Sequence, residues 1–363
     1  MKMPAEHIRE EIRKSGSISF ARFMELALYC PETGYYEKKK DNVGRHGDFI
    51  TSVSVGSLFG ELLAFQFAGW LDEFKLDGQK LKIIEAGAHD GKLAADILGW
   101  LQTRRPDLFS KLEYHLVEPS PHRQEWQRET LKAFASQVHW HARLDGLQAQ
   151  NQELHGVFFS NELLDALPVH RLGWDATRKE WFEWGVALNG GHFAWSRKAG
   201  ITLPSSILDL PSPLLEVLPD NYTVEISPAA ENWWRAASGI LTAGKLLVID
   251  YGFTADELFS PGRTRGTLRA YSRHHVSDNL LADPGEQDLT AHVNFSAIQK
   301  AGEAAGLRTD IFCTQPQFLI RILSEAQKKN SLGNWDAKRA RQFQTLTHPE
   351  HLGRAFRVLV QSR

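Results

Sequence analysis

The chain of 363 residues is short of several features that would assign it to a class at once. It has two cysteines, Cys30 and Cys313, far apart in sequence, which excludes a disulfide framework. No stretch approaches the roughly 18 uninterrupted apolar residues of a spanning helix, so no membrane insertion is expected. Neither sign of charge is in excess: 42 Lys and Arg face 44 Asp and Glu, a formal net charge of -2. A generic nucleic-acid binder shows a basic surplus, so nucleic acid is not an expected partner. There is no internal repeat, and the one short biased run, Lys38-Lys39-Lys40, suits a solvated loop or the attraction of an acidic partner. Residues Met1 to Glu10 mix Lys2, Glu6, Arg9 and Glu10 without an apolar h-region or the Arg/Ser-rich, acid-poor character of a transit peptide, and the expected location is cytoplasmic. Aromatic residues are plentiful: 20 Phe, 11 Trp and 7 Tyr supply ample core. At about 150 residues per domain, the length suggests two domains, or one large domain carrying insertions.

Periodicity divides the chain. From Ser19, the apolar stripe Phe20, Phe23, Met24, Ala27 and Leu28 predicts a half-buried helix, and a second, greasier helix is expected from about Ser57 to Phe74. Residues 1–80 therefore form an N-terminal helical segment containing the loop Gly47-Asp48-Phe49-Ile50-Thr51-Ser52. From Leu81, strand candidates alternate with helices: Lys82–Ala86, Tyr114–Val117, Val138–Trp140, Gly156–Phe159 and Lys245–Ile249. Ser120-Pro121 and Ser227-Pro228 supply helix starts, and Ala355–Val360 alternates as a closing strand. This rhythm implies an α/β fold for 81–363, a mostly parallel sheet with helices on both faces. Two stretches interrupt it. Residues 169–200 place Trp174, Trp181, Phe182, Trp184, Phe193 and Trp195 around Asn189-Gly190-Gly191, a β-hairpin insertion. Residues 252–291 have little periodicity and are expected to form a long, ordered, substrate-side loop.

The run Ile83-Ile84-Glu85-Ala86-Gly87-Ala88-His89-Asp90-Gly91-Lys92-Leu93 places a strand, a Gly turn and a helix start together, where backbone N–H groups meet a polar ligand. A P-loop needs four residues between its glycines and a hydroxyl after the lysine; here three residues intervene and Leu93 follows. A dinucleotide fingerprint needs Gly at its sixth position, which is Lys92. The remaining reading is a class I S-adenosylmethionine site, with an acid ending the strand (Glu85), glycines at Gly87 and Gly91, and His89 in place of the usual middle glycine. Glu118 ends the next strand, where a carboxylate accepts both ribose hydroxyls. A plain βα turn is the competing reading of the same residues.

The run from Gly47 to Ser52, followed by Leu58-Phe59-Gly60-Glu61-Leu62, resembles the MidA family of S-adenosylmethionine-dependent methyltransferases. The likeness continues through Asn161-Glu162-Leu163-Leu164-Asp165-Ala166-Leu167-Pro168, Val224-Glu225-Ile226-Ser227-Pro228 and Gly266-Thr267-Leu268-Arg269-Ala270. It extends to Asp288–Phe295 and Leu352–Leu359, so it spans nearly the whole chain in the family's order. The resemblance implies the class I methyltransferase, Rossmann-like fold, S-adenosyl-L-methionine as cofactor, and a protein substrate methylated on arginine. The family includes a mitochondrial complex I assembly factor that methylates arginine, which implies a respiratory-complex subunit as partner; a homodimer is a further expectation. His89 departs from the family's Gly-x-Gly-x-Gly, and Val53-Ser54 stand where the family often has Pro-Glu.

Methyl transfer to a guanidinium requires alignment and a group that draws charge from the attacking nitrogen, work suited to carboxylates. Glu162 and Asp165, with Asn161, are the catalytic candidates just after the fourth strand; at i and i+3 the two acids share one turn, or else cap a helix beginning near Asn161. Cofactor-binding candidates are Glu85, Gly87, His89, Gly91 and Glu118, with Gly47, Asp48, Thr51 and Ser52 in a loop suited to closing over the cofactor. Asp48 is equally at home in an ordinary Gly-Asp turn. Asp250 either contacts substrate or caps a loop, and Glu225 has a secondary role at most. His139 and His141 share a strand face, but two ligands do not make a metal site, and no metal is expected. Two alternatives stand beside arginine methylation: a small-molecule methyltransferase on the same scaffold, and an assembly factor with a degenerate cofactor site.

Overall fold

The computed structural model describes residues 2–38, 51–74, 80–148, 154–198, 212–272, 275–277, 279–353 and 355–363. The chain folds as two compact units that interleave in sequence. One comprises Lys40–Leu164, Asn232–Gly252 and Ala297–Arg363; the other comprises Met1–Lys39, Asp165–Glu231 and Phe253–Ser296.

The first of these is built on a mixed sheet whose strands are β1 Leu81–Ala86, β2 Leu112–Val117, β3 Val138–His141, β4 His155–Asn161, β5 Ala243–Phe253, β6 Arg308–Thr314 and β7 Phe356–Ser362. Their order is β3-β2-β1-β4-β5-β7-β6. The strands from β3 to β5 run parallel, and β7 lies antiparallel to both β5 and β6. Every residue of β1 is buried, the mark of a central strand covered on both faces. Helix Lys92–Arg104 crosses from β1 to β2, and Pro121–Thr130 from β2 to β3. The latter starts as its sequence dictates, with Pro121 in the first turn and Ser120 Oγ accepting the amide of Arg123 at 3.3 Å. Leu58–Leu71 has apolar residues all round and is buried accordingly: Phe59, Leu62, Leu63 and Phe67 join Ile97, Leu98, Val157 and Phe159 in one core. Each such side chain contributes about 1.5–3 kcal/mol through burial. The terminal strand, expected to close the sheet, is instead inserted between β5 and β6. Val358, Leu359 and Val360 are all buried, so both faces of β7 are covered.

The other unit contains helices Pro4–Ser15 and Phe20–Tyr29 and two antiparallel sheets. In one, Ser17–Ser19, Glu180–Asn189, His170–Asp175 and Thr223–Ile226 pair in that order, and His192–Lys198 folds back on Glu180–Asn189 across Gly190-Gly191. Ile8, Phe20, Phe23, Met24, Val186 and Leu289 form a core within this unit. The stretch 252–291, expected as a loop, carries strands Arg269–Ser272, His275–Ser277 and Asp288–Thr290. Strands this short leave no readable alternation.

Candidate active site

In the β1-to-β5 sheet the order reverses between β1 and β4, each connected to its next parallel neighbour in the opposite direction. In such sheets, the crevice outside the carboxyl ends of the strands at this switch point takes the ligand. Glu85 and Gly87 at the end of β1, Glu118 after β2, and Asn161 and Glu162 at the end of β4 all lie at these carboxyl ends, because Ala86 pairs with Val117 on one side and Ser160 on the other.

The turn after β1 has a specific backbone shape. Gly87 has φ +76° and Gly91, the N-cap of Lys92–Arg104, has φ +81°. A side chain at Gly87 would be strained by this φ, and its Cβ would stand 2.9 Å from Leu163 Cδ1, which would have to shift. His89 has φ +47°, preserving at the family's middle-glycine position the left-handed backbone that glycine adopts without cost. Histidine is among the few residues enriched in that region. Its ring lies 6.4 Å from that of Trp126, and its Nδ1 is 3.9 Å from Asp90.

Both strand-end acids are buried. Glu85 Oε2 accepts the hydroxyl of Tyr114 at 2.6 Å. Burial pushes its carboxyl up to about 8; the Tyr114 hydrogen bond opposes this and Asp90 adds to it. Glu118 is held from three directions: its Oε1 accepts the amide of Ser120 at 3.0 Å, its Oε2 accepts from Gln127 Nε2 at 3.3 Å, and Arg123 Nη1 stands 3.8 Å away. Gln127 Nε2 also donates to the carbonyl of His89 at 3.0 Å. Gln127 is fully buried and went unrecognised in the sequence, where nothing but its place nine residues beyond Glu118 connects the two.

Asn161 ends β4, and Glu162 follows with φ +51°, a conformation a non-glycine residue holds only when its surroundings impose it. The imposing contacts are visible. Glu162 N donates to Ile249 O at 3.0 Å, and Glu162 Oε1 accepts both the amide of Ser52 at 3.2 Å and Asn161 Nδ2 at 3.1 Å. The amides of Leu163 and Leu164 donate to Asp250 Oδ2 at 3.1 and 2.8 Å, so Asp250 caps this turn, its more ordinary role. No helix begins at Asn161: only a single 3-10 turn, Leu164–Ala166, follows, because the left-handed Glu162 breaks the helical path. Asp165 is buried and starts the stretch of chain belonging to the other unit, where its carbonyl accepts the amide of Ala291 at 2.9 Å.

Thr51 and Ser52 are also buried. Thr51 and Ser54 cap each other, with Thr51 N donating to Ser54 Oγ at 3.0 Å and Ser54 N to Thr51 Oγ1 at 3.1 Å. Ser52 Oγ donates to Gln315 Oε1 at 3.2 Å, which ties this loop to helix Gln315–Lys328. Gly47 and Asp48 lie outside the described residues.

The residues fit S-adenosyl-L-methionine. Asn161 Oδ1 is buried without a hydrogen-bond partner among the described residues, an acceptor suited to an ammonium group. Glu118 presents carboxylate oxygens for vicinal hydroxyls, and the turn from Gly87 to Gly91 lets backbone approach a ligand closely. Glu225, by contrast, belongs to the other unit, where its Oε2 accepts the amide of Thr267 at 2.6 Å and its Oε1 lies 3.6 Å from Arg171 Nε.

Comparison with known proteins agrees with this geometry. Residues 62–313 match the S-adenosyl-L-methionine-dependent methyltransferase family. A crystallised Burkholderia thailandensis protein with bound S-adenosyl-homocysteine is 32% identical, with a TM-score of 0.85 over 99% of this chain and 92% of that one. The human "Protein arginine methyltransferase NDUFAF7, mitochondrial" is 29% identical over 96% of this chain and 81% of its own. Its Drosophila melanogaster homolog is 28% identical over 98% and 84%. The expected cytoplasmic location does not stand, since these relatives are named as mitochondrial proteins. Among the described residues, no helix is long and apolar enough to cross a membrane. The chain belongs to the S-adenosyl-L-methionine-dependent methyltransferase family and is an α/β enzyme of that class, with S-adenosyl-L-methionine as its cofactor.

Proposed function

We propose that this enzyme methylates the side chain of arginine in a protein substrate. The observation that carries the reading is Glu162, a carboxylate in a strained backbone conformation, oriented by the Ser52 amide and the Asn161 side chain at the switch point of the sheet. Relatives along nearly the whole chain that are named protein arginine methyltransferases support it.

When bound, S-adenosyl-L-methionine supplies an electrophilic methyl group on a sulfonium. In this reading Gly87, His89 and Gly91 pass backbone along the cofactor, Glu118 accepts its ribose hydroxyls, and Glu85 and Asn161 face its cationic end. Thr51 and Ser52 border the cofactor, and the resemblance adds Gly47 and Asp48 to the same set. Glu162 pairs with the guanidinium and draws charge from the attacking nitrogen, with Asp165 and Asn161 assisting; a carboxylate matches the planar fork in a way an ammonium acceptor would not use. The segments 169–200 and 252–291 handle substrate. Within the same proposal stand a respiratory-complex subunit as the substrate, carried by the resemblance, and a homodimer, which light scattering of the purified chain checks.

The test is transfer of labelled methyl from S-adenosyl-L-methionine into a cell lysate, with mass spectrometry of the labelled species. Label on arginine of a protein supports the reading; label confined to small molecules replaces it with the alternative substrate class.

A further inference from the structure

Ser52 donates its amide to Glu162, and its hydroxyl leads on to a residue that neither the cofactor nor the carboxylate chemistry above uses. Ser52 precedes the single 3-10 turn Val53–Val55, a place where a serine hydroxyl ordinarily accepts an amide of its own turn; here it caps nothing. Its Oγ donates instead to Gln315 Oε1 at 3.2 Å, across 263 residues, while its N donates to Glu162 Oε1 at 3.2 Å. Ser52 and Gln315 are both fully buried.

Gln315 is not spent on starting its own helix. Thr314 and Gln317 form the capping box at the head of Gln315–Lys328, which leaves the Gln315 side-chain amide for other work. Its Nε2 donates to Leu346 O at 2.9 Å, a carbonyl in the last turn of helix Ala337–Thr347, where the helix supplies no partner of its own. One amide thus joins two C-terminal helices to the loop that touches Glu162. Helix Ala337–Thr347 also holds the other end of that loop. Arg339 Nη2 donates to Glu61 Oε2 at 2.6 Å, and a Cβ on Gly56 would stand 2.1 Å from Gln342 Nε2. All of these residues belong to the unit that carries the cofactor-binding sheet.

A carboxylate that steers charge at a reacting nitrogen must face it in one direction, and a displacement of about 1 Å is enough to lose much of the rate. Glu162 takes its direction from the donors on Oε1, the Ser52 amide and Asn161 Nδ2. A loop amide is only as fixed as the anchor of its own residue, and the side-chain anchor of Ser52 is Gln315.

We propose that Gln315 is a positioning residue for methyl transfer: through the Ser52 hydroxyl it fixes the Ser52 amide, and with it the direction of the Glu162 carboxylate. The action of Glu162 on the substrate rests on the reading above.

The test uses the full chain in two measurements: amide hydrogen exchange of the ¹⁵N-labelled protein saturated with S-adenosyl-homocysteine, and labelled-methyl transfer from S-adenosyl-L-methionine into a cell lysate. Gln315→Met keeps the bulk of the side chain without its hydrogen bonds. In this variant the Ser52 amide should exchange about tenfold faster, the scale of one lost hydrogen bond, while the amide of Ile84 in the central strand is unchanged. Its transfer rate should fall about tenfold, with no further fall when it is combined with Glu162→Gln, because the two substitutions remove one action. Ser52→Ala removes the hydroxyl, keeps the amide, and should match Gln315→Met in rate and in that non-additivity; it decides the matter alone if Gln315→Met does not fold. Wild-type exchange at Ser52 overturns the proposal, as does a loss that multiplies with that of Glu162→Gln. An impaired Glu162→Gln beside a wild-type rate in Gln315→Met rejects the positioning role alone. Undiminished transfer by Glu162→Gln rejects the role of Glu162 and this proposal with it. Label found elsewhere than on arginine, with both variants impaired and non-additive, rejects arginine as the acceptor and keeps the positioning role.

Discussion

Gln127 donates its side-chain amide to Glu118 Oε2 at 3.3 Å, and the same nitrogen donates to His89 O at 3.0 Å, so one buried helix residue couples the turn after β1 to the acid after β2. Trp140 Nε1 donates to Gln127 Oε1 at 3.1 Å and fixes which way that amide faces. Gln127→Ala removes the coupling and should raise the Kd for S-adenosyl-L-methionine about tenfold, one hydrogen bond to a charged group being worth about that much. Calorimetric titration alongside circular dichroism measures this. An unchanged Kd in a folded variant would mean that Glu118 is aligned without Gln127.

Gly87→Val should abolish detectable cofactor binding. The position combines φ +76° with a Cβ site 2.9 Å from Leu163 Cδ1, so a branched side chain must strain its own turn and push the Leu163 side chain aside. Titration calorimetry checks it, and a variant that binds like wild type would remove this turn from the cofactor site.

Glu85 has a pH signature. Burial holds its carboxyl at about 8, so it is mostly neutral at pH 7 without ligand, and a cationic ligand beside it favours the ionised form. Affinity for S-adenosyl-L-methionine should therefore climb as pH rises toward about 8, and Glu85→Gln should flatten that climb. Stability has the opposite sign. A folded-state pKa above the unfolded value means that the contribution is complete below the ordinary carboxylate range and is lost as pH rises through about 8. The Tm of the cofactor-free protein followed across that window should fall less in Glu85→Gln than in wild type.

His115 should give an acid-side loss. Its Nδ1 lies 2.9 Å from His141 Nε2, and its ring packs 5.1 Å from that of His139. Burial first, then the charges of His141 and His139, push it down to about 3; Glu113 opposes them and Lys82 adds to them. The neutral ring supports the fold above the ordinary histidine value of 6.5, and that support is lost as pH falls toward 3. His115→Gln should show a shallower decline of Tm with acid than wild type, whatever its Tm at neutral pH.

Much of the sheet was legible because buried parallel strands are continuous apolar runs: Ile83-Ile84 and Val157-Phe158-Phe159 announce themselves. Ser19 and Ser120 likewise mark helix starts through their own side chains. The strand Arg308–Thr314 was not legible: it lies at the sheet edge, and its alternation is blurred by Asp310 and by a register shift between Thr309 and Ile311. The strand-end acids Glu85 and Glu118 carried a local signal, whereas the partners that orient them did not. Ser52 meets Glu162 across 110 residues and Asp250 meets Leu164 across 86, distances at which only the fold decides. The alternative of a helix beginning near Asn161 is not realised for a related reason: Asp250 and the Ile249 carbonyl impose a turn that the sequence of residues 161–165 does not itself encode.

The most direct test of arginine methylation is labelled-methyl transfer from S-adenosyl-L-methionine by the wild-type chain and by Glu162→Gln, with mass spectrometry locating the methyl group. Label should appear on the guanidino nitrogen of an arginine in a protein. Glu162→Gln should keep its affinity for S-adenosyl-L-methionine while turnover falls by about a hundredfold or more, as expected on removing a group that steers charge in the transition state. Label on another acceptor, or undiminished turnover by Glu162→Gln, would contradict the account.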